Sequence, residues 1–383
     1  MNVRMRLHAC TAVLLAAAFV FGQAPRPFAE TVLSDFDQWD ANHDGIIQPK
    51  EVAKAALDPR NHGEDAAALA ALHTWLSATK EVPELTKSWF QNYQPAKRPP
   101  TESGADQAEV RAARKAWEAS PGGLPQVYAA ALRRIRNAQT FLFAPEGPGI
   151  TDIKQGALGD CFFLAPLGAV VHRNPEDVRR LIQPAQGGYL VQFGDGKAIK
   201  ISAPTDAEIG MGGATTASGF WVRAAEKAFG SRKIAEGEEG ESIARDNNRG
   251  GNTARAGSAL TGHKFTGVRL IANYQKEVPD TDLVPILDRL RKELPVALAE
   301  HRLVLASTPN KGTPKSITPN HAYAIFGFDA TTDRITLWNP HGDTFTLKGD
   351  EGFENGFARS NGEFSMPLRD FIRAFSRISF EQA

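Results

Sequence analysis

The chain has 383 residues, enough for one large core plus a smaller module, and its 42% hydrophobic and 9% aromatic content is that of a globular protein. Lysine plus arginine and aspartate plus glutamate each number 44, so no global field marks a nucleic-acid binder or a protein drawn to an anionic membrane. Basic runs such as Arg133 to Arg136 read as the solvated face of a helix.

In chain order, residues 1–29 read as a secretory signal. Arg4 and Arg6 form a positive start, Leu7 to Phe21 an apolar run, and small residues place cleavage near 24 or 29. The run is shorter than the roughly 20 residues a spanning helix needs, so the expectation is export, periplasmic or secreted, with no membrane span after cleavage. Cys10 would leave with the signal, making Cys161 the sole cysteine and an intrachain disulfide impossible. A lone thiol in an oxidising compartment is a liability unless it is used.

Residues 30–60 carry an EF-hand pattern. Asp40, Asn42 and Asp44 occupy loop positions one, three and five, Gly45 the sharp turn, Ile46 the carbonyl position, Gln48 position nine and Glu51 the bidentate carboxylate, a set suited to calcium. The chain contains no second such loop. The hand is therefore expected either to bind weakly alone or to pair with another molecule. Residues 61–142 read as helical, over 66–79, 82–93, 105–119 and 124–139, with a Pro-rich linker at 94–104.

From residue 143 the pattern changes. Asp152-Ile-Lys-Gln-Gly-Ala-Leu-Gly-Asp-Cys161 bends through Gly156 and Gly159 into an apolar run, Phe162 to Val171, that reads as a buried helix beginning at the cysteine. A thiol at a helix N-terminus lies in the positive end of the macrodipole, so Cys161 is expected to be activated below its usual 8.5 or so. Pro166 is expected to kink that helix. Further on, residues 188–193 and 197–202 flank Gly194-Asp-Gly196 as a hairpin, and helices at 220–229 and 282–294 alternate with strands at 265–271, 296–299, 322–328 and 334–338. The Gly210-Met-Gly-Gly213 stretch lacks the strand-to-helix context of a phosphate loop. His321 opens one strand and Asn339 closes the next, so a hairpin brings a base and its orienter together. Taken singly these residues are unremarkable: a lone cysteine is more often core, and Asn before Pro more often a turn.

Five segments in a fixed order carry a resemblance: QGALGDC ending at Cys161, WVRAAEKAF from Trp221, NHAYAIFGFD from Asn320, LWNPHG from Leu337, and GEFSMPLRDFIRAFSRIS from Gly362. They resemble the catalytic core of calpain-type, papain-like cysteine proteases. That likeness implies an α+β fold over 143–383, with a helical half bearing Cys161 and a β-rich half bearing His321 and Asn339, behind a mainly α-helical N-terminal region. It implies Cys161 as nucleophile, His321 as acid and base, Asn339 as orienter, Gln155 as oxyanion donor, and Gly250 and Gly251 as backbone that binds the substrate peptide. Protein or peptide substrates follow, and the chemical step needs no cofactor.

Departures from the family pattern are Phe162 and His341 in place of tryptophans, and Asn320 in place of a glycine. Ligands of the family's two core calcium sites match poorly, with Gly219, Phe345 and Asn361 in place of acids and only Asp152 and Glu363 kept. Two rival readings stand beside the protease: a transglutaminase-like acyltransferase using the same residues, and an inactive scaffold or adhesion protein.

Overall fold

The computed structural model describes residues 24–79, 82–97, 116–117, 120–139, 141–156, 158–212, 219–235 and 251–383. Most of the signal expected over 1–29, Gly250, and nearly all of the helix expected over 105–119 lie outside them. The described residues form an α+β fold.

The N-terminal module begins with α1 (Phe28–Trp39), whose Phe28, Val32, Phe36 and Trp39 recur at helical spacing and are all buried. After the loop come α2 (Pro49–Ala56), α3 (Gly63–Ala78), α4 (Lys87–Gln91) and α5 (Leu124–Asn137). The helix expected over 82–93 is confined to α4, because Thr86 just before it is extended and, with Leu85, bonds to the loop after α1. Ile46 bridges Thr86 antiparallel, and Ile47 N–H donates to Leu85 O at 3.1 Å. Thr86 Oγ1 then accepts from Trp89 N–H and starts α4. The backbone edge that a solitary hand would offer to another molecule is thus occupied within the chain.

The helix that begins at Cys161, α6 (Cys161–Arg173), is apolar on every side from Phe162 to Val171 and correspondingly buried all round. It continues unbroken past Pro166, which only forgoes the bond to the Phe162 carbonyl. Next come α7 (Pro175–Leu181) and a three-stranded antiparallel sheet of β1 (Ile182–Ala185), β2 (Gly188–Gln192) and β3 (Ala198–Ser202). The expected hairpin turn lies between β2 and β3, with Gly196 at φ +88°.

A six-stranded antiparallel sheet forms the other half, in the order β4-β9-β5-β6-β7-β8. Its strands are β4 (Phe265–Arg269), β5 (Val304–Ser307), β6 (Ala322–Asp329), β7 (Arg334–Trp338), β8 (Glu363–Pro367) and β9 (Arg377–Glu381). The remaining helices are α8 (Asp206–Met211), α9 (Trp221–Ala235), α10 (Thr253–Thr261), α11 (Asp280–Ala299) and α12 (Leu368–Ala374). A strand expected at 296–299 is instead the end of α11, whose buried Leu283, Leu287, Leu290, Leu294 and Ala297 keep one helical face through Pro285 and Pro295. Helix α6 lies so close to β7 that a Cβ on Gly168 would come within 2.4 Å of Trp338 Cζ3.

Residues on both sides of position 142 share one core: Leu158, Ala207 and Met211 are buried with the N-terminal helices. Helix α8 makes the junction. Thr205 Oγ1–H donates to Ala56 O at 2.7 Å, Gly63 N–H to Asp206 Oδ2 at 2.9 Å, and Arg134 Nη1–H to Gly210 O at 2.8 Å. A Cβ on Gly210 would lie 3.1 Å from both Ala70 Cβ and Ala131 Cβ, so this glycine belongs to a packing seam.

Candidate active site

Antiparallel pairing of β6 with β7 sets Ala324 opposite Trp338, which brings His321, just before β6, beside Asn339, just after β7. Both side chains are buried, and His321 Nε2 lies 2.8 Å from Asn339 Oδ1. With Asn339 Oδ1 as acceptor, Nε2 carries the hydrogen and neutral His321 keeps Nδ1 as its proton acceptor. Thr308 fixes the backbone: His321 N–H donates to Thr308 Oγ1 and Thr308 N–H to His321 O, each at 2.9 Å. Asn320 holds φ +48°, a left-handed conformation that favours glycine and that asparagine tolerates, so the departure from the family pattern is accommodated.

Cys161 is the first residue of α6 and is buried with Ala165 and Ala322, the residue after His321. Burial pushes its thiol up to about 11, and the neighbouring Asp160 carboxyl acts in the same direction. The backbone amides of Ala322, Phe162 and Cys161 itself pull the other way. This corrects the expectation from the helix dipole alone, because desolvation of a thiolate outweighs a few amide dipoles. A thiolate at this position therefore depends on an imidazolium partner.

Gln155 reaches the same place through its backbone, with N–H donating to Pro340 O at 2.8 Å. Its Nε2 donates to Leu158 O at 2.8 Å, and since that amide nitrogen carries a pair of hydrogens, one remains for an oxyanion. Gly251 lies against the ring that follows the cysteine: a Cβ there would stand 2.4 Å from Phe162 Cε2. Its expected companion Gly250 is outside the described residues.

The sequence reading passed over groups that the fold brings to the site. The His341 ring stacks on His321, with centroids 4.4 Å apart and planes 18° apart. Its backbone N–H donates to Asn339 Oδ1 at 3.0 Å, and its Nδ1 lies 3.1 Å from the same oxygen. Behind Cys161, the fully buried Asp160 carboxyl is held well above the usual carboxylate range by desolvation and by Glu226, also buried, on α9. Near them burial lowers Arg223 to about 10. Polar residues inside the otherwise apolar WVRAAEKAF segment were the available signal for this cluster.

In the calcium-type loop Gly45 has φ +83°, as its sharp turn requires. Asp40 accepts from Asp44 N–H and Gly45 N–H, and Asp44 accepts from Ile46 N–H and from the Asn42 and Gln48 side-chain amides. Glu51 accepts from Asn42 N–H at 3.1 Å and Gln48 N–H at 2.8 Å. Among the described residues, no group of three or more His, Cys, Asp or Glu side chains is placed to hold a metal ion. Asp152, which the sequence resemblance marked as a retained core calcium ligand, has its Oδ2 accepting from Trp221 Nε1–H at 3.0 Å and Gly149 N–H at 2.8 Å.

Residues 132–381 match the family of calpain family cysteine proteases. The chain is 28% identical over 272 residues to the calpain-1 catalytic subunit of Mus musculus, covering 62% of this chain and 35% of that protein. It is 25% identical over 268 residues to the calpain-2 catalytic subunit of Gallus gallus, covering 62% and 36%. The chain thus spans about a third of the length of the curated relatives it matches.

Proposed function

The chain belongs to the calpain family of cysteine proteases, and from that premise we propose that it is an exported endopeptidase cutting protein or peptide substrates with Cys161, His321 and Asn339. The observation that carries this is the 2.8 Å contact of His321 Nε2 with Asn339 Oδ1, at the start of β6, whose first residue, Ala322, packs against Cys161. His321 Nδ1 takes the thiol proton, and the thiolate attacks the peptide carbonyl. The Cys161 amide and the remaining Gln155 Nε2 hydrogen meet the oxyanion, where one donor contributes about 3 to 4 kcal/mol in comparable sites. The His321 imidazolium then protonates the leaving amine, and water activated by the same ring hydrolyses the acyl-enzyme. Gly251, with Gly250, would offer backbone to the bound peptide.

Calcium belongs to this reading at the Asp40–Glu51 loop. The donors Asp40, Asn42, Asp44, the Ile46 carbonyl, Gln48 and Glu51 are all oxygens, the kind a hard cation takes. Their carboxylates are turned onto loop amides, so binding exchanges those hydrogen bonds for the ion and orders the loop. The ion has no part in the peptide-bond chemistry.

Support for export is the leader-like sequence of residues 1–29 itself, and the contacts of Arg26 and Phe28 bear on where cleavage falls. Arg26 pairs with Glu64 at 3.0 Å and Asp65 at 2.6 Å, and Phe28 packs edge-on to Phe90, Tyr93 and Tyr128. Cleavage near residue 24 keeps these contacts, whereas cleavage near 29 discards them. No described helix is long and apolar enough to cross a membrane.

The test is a proteome-derived peptide library incubated with the wild type and with Cys161→Ser, with and without an added primary amine. New peptide termini from the wild type alone establish the protease. Amine-capped products at glutamine side chains would replace it with an acyltransferase, and no products at all with a scaffold.

A further inference from the structure

Asn339 Oδ1 serves more than the ring it is expected to orient. It lies 2.8 Å from His321 Nε2, 3.0 Å from the His341 amide nitrogen and 3.1 Å from His341 Nδ1. The two imidazoles are face to face at 4.4 Å, one half-exposed and the other buried. An aromatic ring of any kind could brace His321 there. A titratable one adds a charge that comes and goes within the working pH range.

We propose that His341 is a positioning residue that makes the site acid-sensitive: neutral, it braces His321 and Asn339, and protonated, it disables the thiolate–imidazolium pair. This rests on the triad reading above. The first proton in the stacked pair belongs on His321, which needs it to hold the Cys161 thiolate. A second proton on His341 puts like charges face to face, which is unfavourable and delays its uptake to lower pH. Once there, it drives the His321 proton back to sulfur, and burial of Cys161 favours that neutral thiol. No bond to carbon forms or breaks; one proton moves from nitrogen to sulfur.

Other titratable and charged groups surround the pair. On α6 there is Cys161, and on β6 Tyr323, whose ring meets His321 edge-on at 5.1 Å. Lys154 runs past Gly342, with its Cγ 3.6 Å from where a Cβ there would lie. Asp343 is paired with Arg359 at 2.7 Å. Burial raises Tyr323 above its ordinary value, so it stays neutral through the acid range, whereas imidazole is the side chain whose ordinary range lies there.

The experiment is the pH dependence of iodoacetamide alkylation at Cys161, read by mass spectrometry on the full chain, for the wild type, His341→Phe and His341→Gln. Phenylalanine keeps the stack, glutamine keeps an N–H donor, and neither titrates. The expected result is an acid-side midpoint lower by about one pH unit in both variants than in the wild type. Superimposed profiles would overturn the proposal while leaving the triad intact. A His321→Gln control separates the two readings. If its profile matches the wild type, His321 does not activate the thiol, and both fall together.

Discussion

Leu158 and Gln155 connect the two halves of the chain: the Leu158 side chain is buried among the N-terminal helices, while its carbonyl accepts the Gln155 Nε2–H at 2.8 Å. Leu158→Ala is therefore expected to cost about 2 to 5 kcal/mol in stability, from lost burial and a residual cavity. Denaturant unfolding measures that part. Because the carbonyl that anchors Gln155 stays but the side chain that seats it is gone, the carbonyl is held less firmly and kcat should fall more than KM rises. A loss of stability with kcat unchanged would show that the link carries no function.

Cys161→Ala and His321→Ala are each expected to remove about 10^4-fold or more of peptidase activity, since members of one catalytic unit fail together. Asn339→Ala should cost less, because it orients the base and transfers no proton. Circular dichroism melts accompany the assays. Turnover surviving in a folded Cys161→Ala protein would refute the nucleophile assignment.

Burial pushes the Cys161 thiol from 9.0 up to about 11, and the sign of the effect can be followed in a protein without its base. In His321→Ala, alkylation should stay slow at neutral pH and rise through about 11, whereas the wild type should plateau far lower. The same shift bears on stability. A raised thiol value stabilises the folded state below about 9, and that contribution is lost as pH climbs through about 11. With His321→Ala as the common background, the stability difference made by adding Cys161→Ala should therefore change above pH 9 and stay flat below it.

For calcium, calorimetry on the full chain is expected to show binding in the sub-millimolar to millimolar range, with Glu51→Gln weakening it markedly by removing charge from a bidentate ligand. The full chain is the right object, because a fragment starting near residue 143 would expose Leu158, Ala207 and Met211. Chelator should lower the melting temperature of the N-terminal module and leave residual peptidase activity. No heat at millimolar calcium would rule the loop out as a binding site.

Gly251→Ala is expected to destabilise by about 1 to 3 kcal/mol, because its Cβ would stand 2.4 Å from Phe162 Cε2. Phe162→Leu in the same chain should recover part of the loss. An alanine variant as stable as the parent would mean that the ring gives way freely.

The fold class and the partnership of His321 with Asn339 were legible in the sequence, because a hairpin of two alternating strands leaves little choice of register. The apolar helix after Cys161 was equally plain. Other features depended on partners distant in the chain. Leu85 and Thr86 look helical until Ile46 and Ile47 bond to their backbone, and Val296 to Ala299 look like a strand until Leu283 to Leu294 extend their face through two prolines. The thiol shift was missed for a similar reason: a macrodipole can be read from one segment, but desolvation comes from everything packed around it. His341 was noted only as a replaced tryptophan, since nothing local reveals that two rings will stack.

Strand β9, residues 377–381, pairs with β4 on one side and β5 on the other. It joins the strand before His321 to a strand laid down much earlier in the chain, so the sheet becomes continuous only when residues 377–381 slot between them. Such non-local pairing forms slowly, because loop entropy is lost before the contacts repay it. The frame around His321 is therefore held shut by a segment remote from it in sequence, and loosening that one strand would unsettle the base without touching any residue beside it.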